Sequence, residues 1–320
     1  MRTLAAATCI SLLATAVLAD PLPSWNTGET KSAIISFVEA VTDPASEDYV
    51  TPADRIAVFD NDGTLWAEKP VYFQIFFAMD MVKKMEESEL TSDALKAAAA
   101  GDIEALLATG KEGLLEVLAA SHTGMSVVEF KESVAAWLES AVHPTTGMPY
   151  TAMVYQPMLE LLSYLRDEDF ATYIVSGGGI DFIRVISEDA YNIPVSQVVG
   201  SSLVSEYFDD SGTPMLMKTP DLFFNDDKAG KPVAINHHIG KRPIFAAGNS
   251  DGDFQMLEWT TSRDGPSFGL YVHHTDAERE FAYDRDSHVG RLVRGLDEGP
   301  GRGWLIVDMA TDWATVWPTE

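Results

Sequence analysis

Ile56-Ala57-Val58-Phe59-Asp60-Asn61-Asp62-Gly63-Thr64 is the stretch that decides the fold. Four apolar residues run without interruption into two carboxylates two positions apart. A continuous apolar run closed by a turn signal reads as a buried parallel strand. In an open α/β sheet, ligands sit outside the carboxyl ends of the strands, so Asp60 and Asp62 are exposed there together. Gly63 lets the backbone turn sharply behind them. Two carboxylates this close repel, and the site therefore holds a cation, a shared proton, or both. The competing reading takes Asn61-Asp62-Gly63 as a hairpin turn. Against it, the run Leu65 to Pro70 makes a poor partner strand.

Upstream, Ile34, Ile35, Phe37, Val38 and Val41 recur at helical spacing, so residues 20–54 read as an arm followed by a helix over Glu29–Val41. Downstream, residues 70–151 read as an all-helical cap. Tyr72 to Phe77 opens its first helix, and further segments fall around 93–100, 102–108 and 112–120. Ser126-Val127-Val128-Glu129 matches a capping box, and Phe130, Val134, Trp137 and Leu138 continue an apolar face. The rings of Tyr72 to Phe77 and Trp137 are expected to restrict access to the site.

Alternating α/β structure resumes near Pro157. The strand Ala171–Val175 ends in Ser176-Gly177-Gly178-Gly179 and leads to a helix from Ile180. Residues 203–225 read as a hairpin turning at Asp209–Gly212, and Pro232 to Ile239 as a proline-led helix. The strand Ile244–Ala247 runs into Gly248-Asn249-Ser250-Asp251-Gly252-Asp253. Strands at 268–272 and 304–307 flank a helix expected around 288–296. Repeated strand–helix units predict a doubly wound parallel sheet built from residues 55–69 and 152–320.

The sequence of 320 residues is 46% hydrophobic, enough for a substantial core. Residues 1–19 read as a signal peptide. Arg2 supplies the charge, Leu4 to Val17 the apolar segment, and Val17-Leu18-Ala19 the small residues before a cut at Asp20. The expected address is periplasmic or secreted. The sole cysteine, Cys9, leaves with that segment, and thiol chemistry leaves with it. A net charge of −27 argues against nucleic acid or an anionic membrane as partner. It also means that an anionic substrate needs local help from a metal or a lysine.

Three strands thus end in polar punctuation, and parallel strands place those ends on one edge of the sheet. Carboxylates and an Asn/Asp loop offer the oxygen ligands that magnesium prefers. A serine hydroxyl and glycine N–H groups at a helix start suit phosphate oxygens. Other features are weaker. His237-His238 and His273-His274 lack a carboxylate or cysteine at zinc spacing. Asn249-x-Asp251-x-Asp253 fails as a calcium loop, having Phe254 and Thr260 at its sixth and twelfth positions. Asp276-Ala-Glu-Arg-Glu reads as a solvated helix start.

With these motifs in hand, the chain resembles the haloacid dehalogenase superfamily, in particular its phosphoserine-phosphatase-like branch. The resemblance rests on Asp60-Asn61-Asp62-Gly63-Thr64, Ile174-Val175-Ser176-Gly177-Gly178, a lysine, and Gly248-Asn249-Ser250-Asp251-Gly252-Asp253. It implies a magnesium-dependent phosphomonoesterase acting on a small phosphorylated metabolite. Asp60 would be the nucleophile and Asp62 the general acid and base. Ser176, Gly177 and the lysine would hold phosphate oxygens. Asp60, the Asp62 carbonyl and Asn249, with Asp253 nearby, would serve the metal. Two points depart from the family pattern. Asn249 stands where an aspartate usually ligates metal, leaving Asp251 or Asp253 to compensate. The lysine is Lys231 or, alternatively, Lys228, with Lys218 and Lys241 read as surface charges. The rival functions are a non-catalytic phosphate-binding protein, which Asn249 keeps open, and a C–halogen hydrolase, which Asp62 argues against. Phosphoserine is the family's pointer to a substrate, while an exported chain fits scavenging of small organic phosphates better.

Overall fold

The computed structural model describes residues 19–209 and 212–319. The segment read as a signal peptide thus lies, but for Ala19, outside the described residues, as do Asp210 and Ser211 of the expected hairpin turn.

Strand β1 (Ile56–Phe59) is buried along its whole length, which is why its four apolar residues show no polar alternation. Ala57 and Phe59 face a large core on one side of the sheet, and Ile56 and Val58 a smaller one on the other. Phe59 stacks on Phe245 with ring centroids 5.7 Å apart, and Phe245 stacks on Phe268 at 5.3 Å. On the opposite face Val58 and Ala246 pack among Phe254 and Leu257. Full burial of a side chain such as Val58 or Phe59 contributes about 1.5–3 kcal/mol.

In chain order the helix α1 (Glu29–Thr42) precedes β1, and α2 (Phe73–Val82), α3 (Asp93–Ala100), α4 (Ile103–Ala108), α5 (Gly110–His122) and α6 (Val127–Leu138) follow it. The expected capping box opens α6, with Ser126 and Glu129 satisfying each other's backbone N–H. Then come α7 (Gln156–Asp167), β2 (Ala171–Gly179), α8 (Ile180–Tyr191), β3 (Val198–Phe208) and β4 (Met215–Phe224). The chain closes with α9 (Gly230–Ala234), β5 (Phe245–Gly248), α10 (Phe254–Thr261), β6 (Phe268–His273), α11 (Arg294–Glu298), β7 (Leu305–Asp308) and α12 (Met309–Asp312).

The seven strands lie in the order β4-β3-β2-β1-β5-β6-β7, all parallel except the β3–β4 hairpin. The doubly wound expectation therefore holds. β1 sits in the middle, with Phe59 opposite Ile174 of β2 on one side and Ala247 of β5 on the other. Strand order reverses at β1, the place where an α/β sheet opens a crevice.

Three local expectations need correction. The helix expected around 288–296 spans only Arg294–Glu298, because Gly290 sits at a φ of +67° and interrupts it. Asp251 then pins the late start, accepting from the Val293 and Gly295 N–H groups. The proline-led helix begins earlier, at Gly230, and continues as a π-helical turn over Ile235–Ile239, so Lys231 lies inside the helix. Asp276 to Glu280 is a turn anchored by the buried Asp276, with Ala277 and Glu278 exposed, and not a helix start. Asp276 pairs with Arg279, whose guanidinium donates to the carbonyls of Met309 and Trp313. Among the described residues no helix is long and apolar enough to cross a membrane.

Candidate active site

The register of β1 between β2 and β5 carries Asp60 to the sheet edge level with Val175 and Gly248, one residue short of Ser176. Its own N–H donates to the Ala247 carbonyl at 2.9 Å. The residue that meets it there is Lys231, projected from α9. The Lys231 ammonium donates to Asp60 Oδ1 at 2.6 Å and to the Val175 carbonyl at 2.7 Å, and it pairs with Asp253 Oδ1 at 2.6 Å. Its side chain is 2% exposed, so none of these contacts is shared with solvent. Lys228, the alternative, is exposed on the preceding turn, where its N–H donates to the Gly252 carbonyl. The structure therefore brings Lys231, and not Lys228, onto Asp60.

Asp62 follows on the turn. Trp66 Nε1 donates to its Oδ1 at 2.9 Å, while Oδ2 faces Gly178, where an added Cβ would stand 3.2 Å away. Burial raises the Asp62 carboxyl, opposed by that indole hydrogen bond. Ser176 Oγ accepts from the Gly178 N–H at 3.0 Å, leaving its own proton free to point into the cleft. The Gly179 N–H donates to Gln74 Oε1 at 2.7 Å, tying the end of β2 to α2.

The Gly248–Asp253 loop closes the other flank. Asp253 Oδ2 accepts from the N–H groups of Asn249 and Ser250, and its Oδ1 meets Lys231. Asp253 is thus spent on shaping the loop and holding the lysine. Asn249 lies against the first motif, its Oδ1 3.4 Å from Thr64 Oγ1 and its Nδ2 donating to Glu68 Oε1 at 2.6 Å. Glu68 also accepts from Tyr283 Oη at 2.8 Å and is 1% exposed. Glu68 Oε1 accepts both bonds, so it fixes which end of the Asn249 amide faces away from it. Gly63, at a φ of +75°, is obligatory here, because a Cβ would fall 1.9 Å from Asn249 Nδ2. Behind it His274 Nε2 meets the Gly63 carbonyl at 2.7 Å, stacked on Tyr283 with centroids 4.4 Å apart.

Glu68, Trp66, Tyr283 and His274 were missed by reading the sequence. Glu68 carried a signal, being a carboxylate four residues beyond Thr64 in a loop already recognised as no strand. The other three carry no local pattern. Lys218, read as a surface charge, is 5% exposed and paired with Asp181 at 2.5 Å. The two contribute to the wall of a cavity of about 680 Å³ that starts at Asp60 and Asp62 and extends beneath α4 and α5. Tyr72 and Ile75 also line it, whereas Trp137 does not, being stacked on Tyr150 at 4.7 Å. Lys241 is on the surface as expected, paired with Asp54.

The electrostatics follow from this crowding. Burial, then the Asp253 carboxylate, push Asp60 well above the usual carboxylate range, and Lys231 pulls it back. Burial alone would strip the Lys231 proton, but Asp253, Asp60 and Asp226 hold it and keep the ammonium charged. Burial likewise lifts Glu68 well above its ordinary range, with Asp62 and Asp60 adding to the effect. Asp60 and Asp253 therefore hold one ammonium directly, with Asp226 adding its charge, while Asp62 and Glu68 stand close to Asp60. Hard oxygen donors are the kind a divalent cation takes, but among the described residues no three His, Cys, Asp or Glu side chains are grouped to hold one, so a bound metal would draw on backbone and amide oxygens as well.

A doubly wound sheet with a carboxylate–lysine centre at its switch point and helices roofing the cleft defines the class. The chain belongs to the haloacid dehalogenase-like hydrolases, whose family model matches residues 57–258. No curated protein matches it in sequence. Among solved structures, a conserved functionally unknown protein from Anaerococcus prevotii DSM 20548 is similar at 18% identity and a TM-score of 0.54, covering 80% of this chain and 89% of that one. A protein of unknown function from Bordetella pertussis Tohama I is similar at 15% identity and a TM-score of 0.50, covering 80% and 99%. A phosphoserine phosphohydrolase-like protein from Francisella tularensis subsp. tularensis SCHU S4 is similar at 18% identity and a TM-score of 0.41, covering 77% and 98%.

Proposed function

We propose that this hydrolase is a magnesium-dependent phosphomonoesterase that works through an aspartyl-phosphate on Asp60. The observation that carries the reading is the Lys231 ammonium joined at 2.6 Å to both Asp60 and Asp253, in the cleft that Asp62 and Ser176 also line. A buried cation beside a nucleophilic carboxylate lowers the repulsion between that carboxylate and an incoming phosphate dianion.

The residues divide the work as follows. An Asp60 carboxylate oxygen attacks phosphorus, and the bond from phosphorus to the leaving oxygen breaks. Asp62, which burial keeps protonated to higher pH than an exposed aspartate, gives its proton to that oxygen. Trp66 steadies Oδ1 of Asp62 so that Oδ2 meets the substrate side. Asp62 then takes a proton from water as the water attacks phosphorus, releasing phosphate and restoring Asp60. The Ser176 hydroxyl and the Gly177 backbone orient the phosphoryl oxygens. The metal would be held by Asp60, the Asp62 carbonyl and Asn249, the last oriented by Glu68. When bound, the metal neutralises charge on the phosphoryl group and on Asp60. C–halogen hydrolysis has no leaving oxygen to protonate, and the Trp66–Asp62 arrangement would be idle in it.

The test is phosphate release from a panel of small phosphomonoesters with and without magnesium. Asp60→Asn, shown folded by circular dichroism, is expected to abolish turnover. Undiminished release by that variant sinks the mechanism, and no release by the native protein at millimolar magnesium favours a binding protein.

A further inference from the structure

Building on the phosphatase reading, we propose that the leaving group this site accepts is uncharged and apolar, an aryl group or alkyl chain, and not an amino acid or polyol. The argument starts from what the cavity offers beyond the phosphate end. Its far walls are formed by Ile75 of α2, Leu107 of α4, Leu114 and Leu118 of α5, Phe182 of α8 and Leu222 of β4. Apolar side chains from five separate elements therefore converge on the space a leaving group must occupy.

Cations are the second observation. Among the described residues lining the cavity there are four lysines and no arginine. Lys231 is committed to Asp60, Asp253 and the Val175 carbonyl. Lys218 is locked to Asp181 at 2.5 Å and lies over the Phe130 ring at 4.9 Å. Lys228 sits on the loop at the phosphate end, and Lys111 is exposed. Lys111 and Lys228 keep ammoniums without a side-chain partner among the described residues, but a leaving-group carboxylate buried among the leucines out of their reach would lose its hydration, which disfavours it steeply.

Two polar side chains of the roof are also spent. Gln74 Oε1 accepts from the Gly179 N–H, and its Nε2 lies 3.1 Å from His122 Nε2. His122 Nδ1 is 2.7 Å from Ser121 Oγ. Neither side chain is left to receive sugar hydroxyls, and polar lining groups such as Ser202, Asn225 and Asp227 stand on β3 and the loop after β4, not on α5. Leu115 and Leu222, 42% and 51% exposed, carry the apolar lining out to the rim, where a longer chain can follow it.

The experiment measures kcat/KM with magnesium for n-alkyl monophosphates from ethyl to octyl, with phosphoserine and glucose 6-phosphate as polar comparators. Burial of each added methylene is expected to raise kcat/KM about two- to fourfold until the chain reaches the rim. Phosphoserine is expected at least about tenfold below butyl phosphate, since its carboxylate must leave water for a wall of apolar side chains. Leu222→Gln, at an exposed position, is expected to lower the octyl-to-ethyl ratio about threefold or more. That ratio does not depend on the folded fraction of the preparation. A flat or falling series, a preference for phosphoserine, or an unchanged ratio in the variant overturns the inference. Release of phosphate from no compound at all overturns the phosphatase reading together with it, whereas turnover without chain-length dependence overturns the inference alone.

Discussion

The pairing of Asn249 with Glu68 predicts that a charge has been moved, not lost, and a swap can test it. Asn249→Asp restores the aspartate that the family pattern places there, but 2.6 Å from Glu68 Oε1 in a site that is almost fully buried. Two ionised carboxylates at that separation repel by about 6 kcal/mol at an effective dielectric constant of about 20. The pair therefore takes up a proton, as crowded carboxylates do. In chelator at pH 8, Asn249→Asp is expected to be less stable by about 2–4 kcal/mol, near the cost of breaking a buried charge arrangement. Glu68→Gln removes the charge behind the amide and is expected to weaken magnesium binding about 10–100-fold, the usual effect of losing a group that orients a metal ligand. The double variant places one carboxylate and one amide in the same pair with the roles exchanged. It is expected to return to within about 1 kcal/mol of the native protein, so the cycle shows coupling of about 2 kcal/mol or more. The assays are thermal unfolding in chelator and with saturating magnesium, and calorimetric titration of magnesium into the folded protein. Single variants whose effects simply add, with coupling below about 0.5 kcal/mol, would refute the reasoning.

Lys231→Ala leaves Asp60 and Asp253 buried without their cation and is expected to cost about 3–5 kcal/mol along with activity, whereas Lys228→Ala is expected to stay within about 0.5 kcal/mol in the same thermal melts. Trp66→Phe removes the hydrogen bond to Asp62 and is expected to lower kcat about tenfold, more for alkyl than for nitrophenyl leaving groups, by steady-state kinetics. His122 is held down at about 3 by burial, with the Lys218 charge adding to it. Its folded value lies below its unfolded one, so the unfolded chain binds the extra proton and stability falls as pH drops below about 6.5. Between about pH 6.5 and 5 this contributes a loss of about 2 kcal/mol that His122→Gln should lack, read as the difference between the two proteins' unfolding curves. Parallel curves would show that His122 protonates freely in the fold.

Much of the frame could be read from the residues because burial on both faces leaves an unmistakable trace. Ile56 to Phe59 is apolar at every position because neither side of β1 meets water. Parallel pairing then carries the ends of β1, β2 and β5 to one edge, which is why Asp60, Ser176 and Asn249 could be placed together from their strands alone. Lys231 was separable from Lys228 only by three-dimensional placement, since both precede the same proline. Lys218 was misread because its partner Asp181 stands on α8, far from it in sequence, and nothing beside it announces the pair. Asp276 and Glu280 looked solvated for the same reason. Arg279 closes on Asp276, while Glu280 meets His274 and accepts from Tyr155. The backing of the Gly63 turn comes from His274 and Tyr283, beyond the stretch that the family pattern covers.

The β3–β4 hairpin has a consequence for how the cleft exchanges its contents. The Lys218 N–H donates to the Met125 carbonyl, the Gly124 N–H donates back to the Lys218 carbonyl, and Ser126 bridges to Met217. These contacts stitch the hairpin to the link between α5 and α6. The roof cannot swing on its hinges alone: it must either tear that seam or drag two strands along. Widening the way in and out would then carry the cost of that seam.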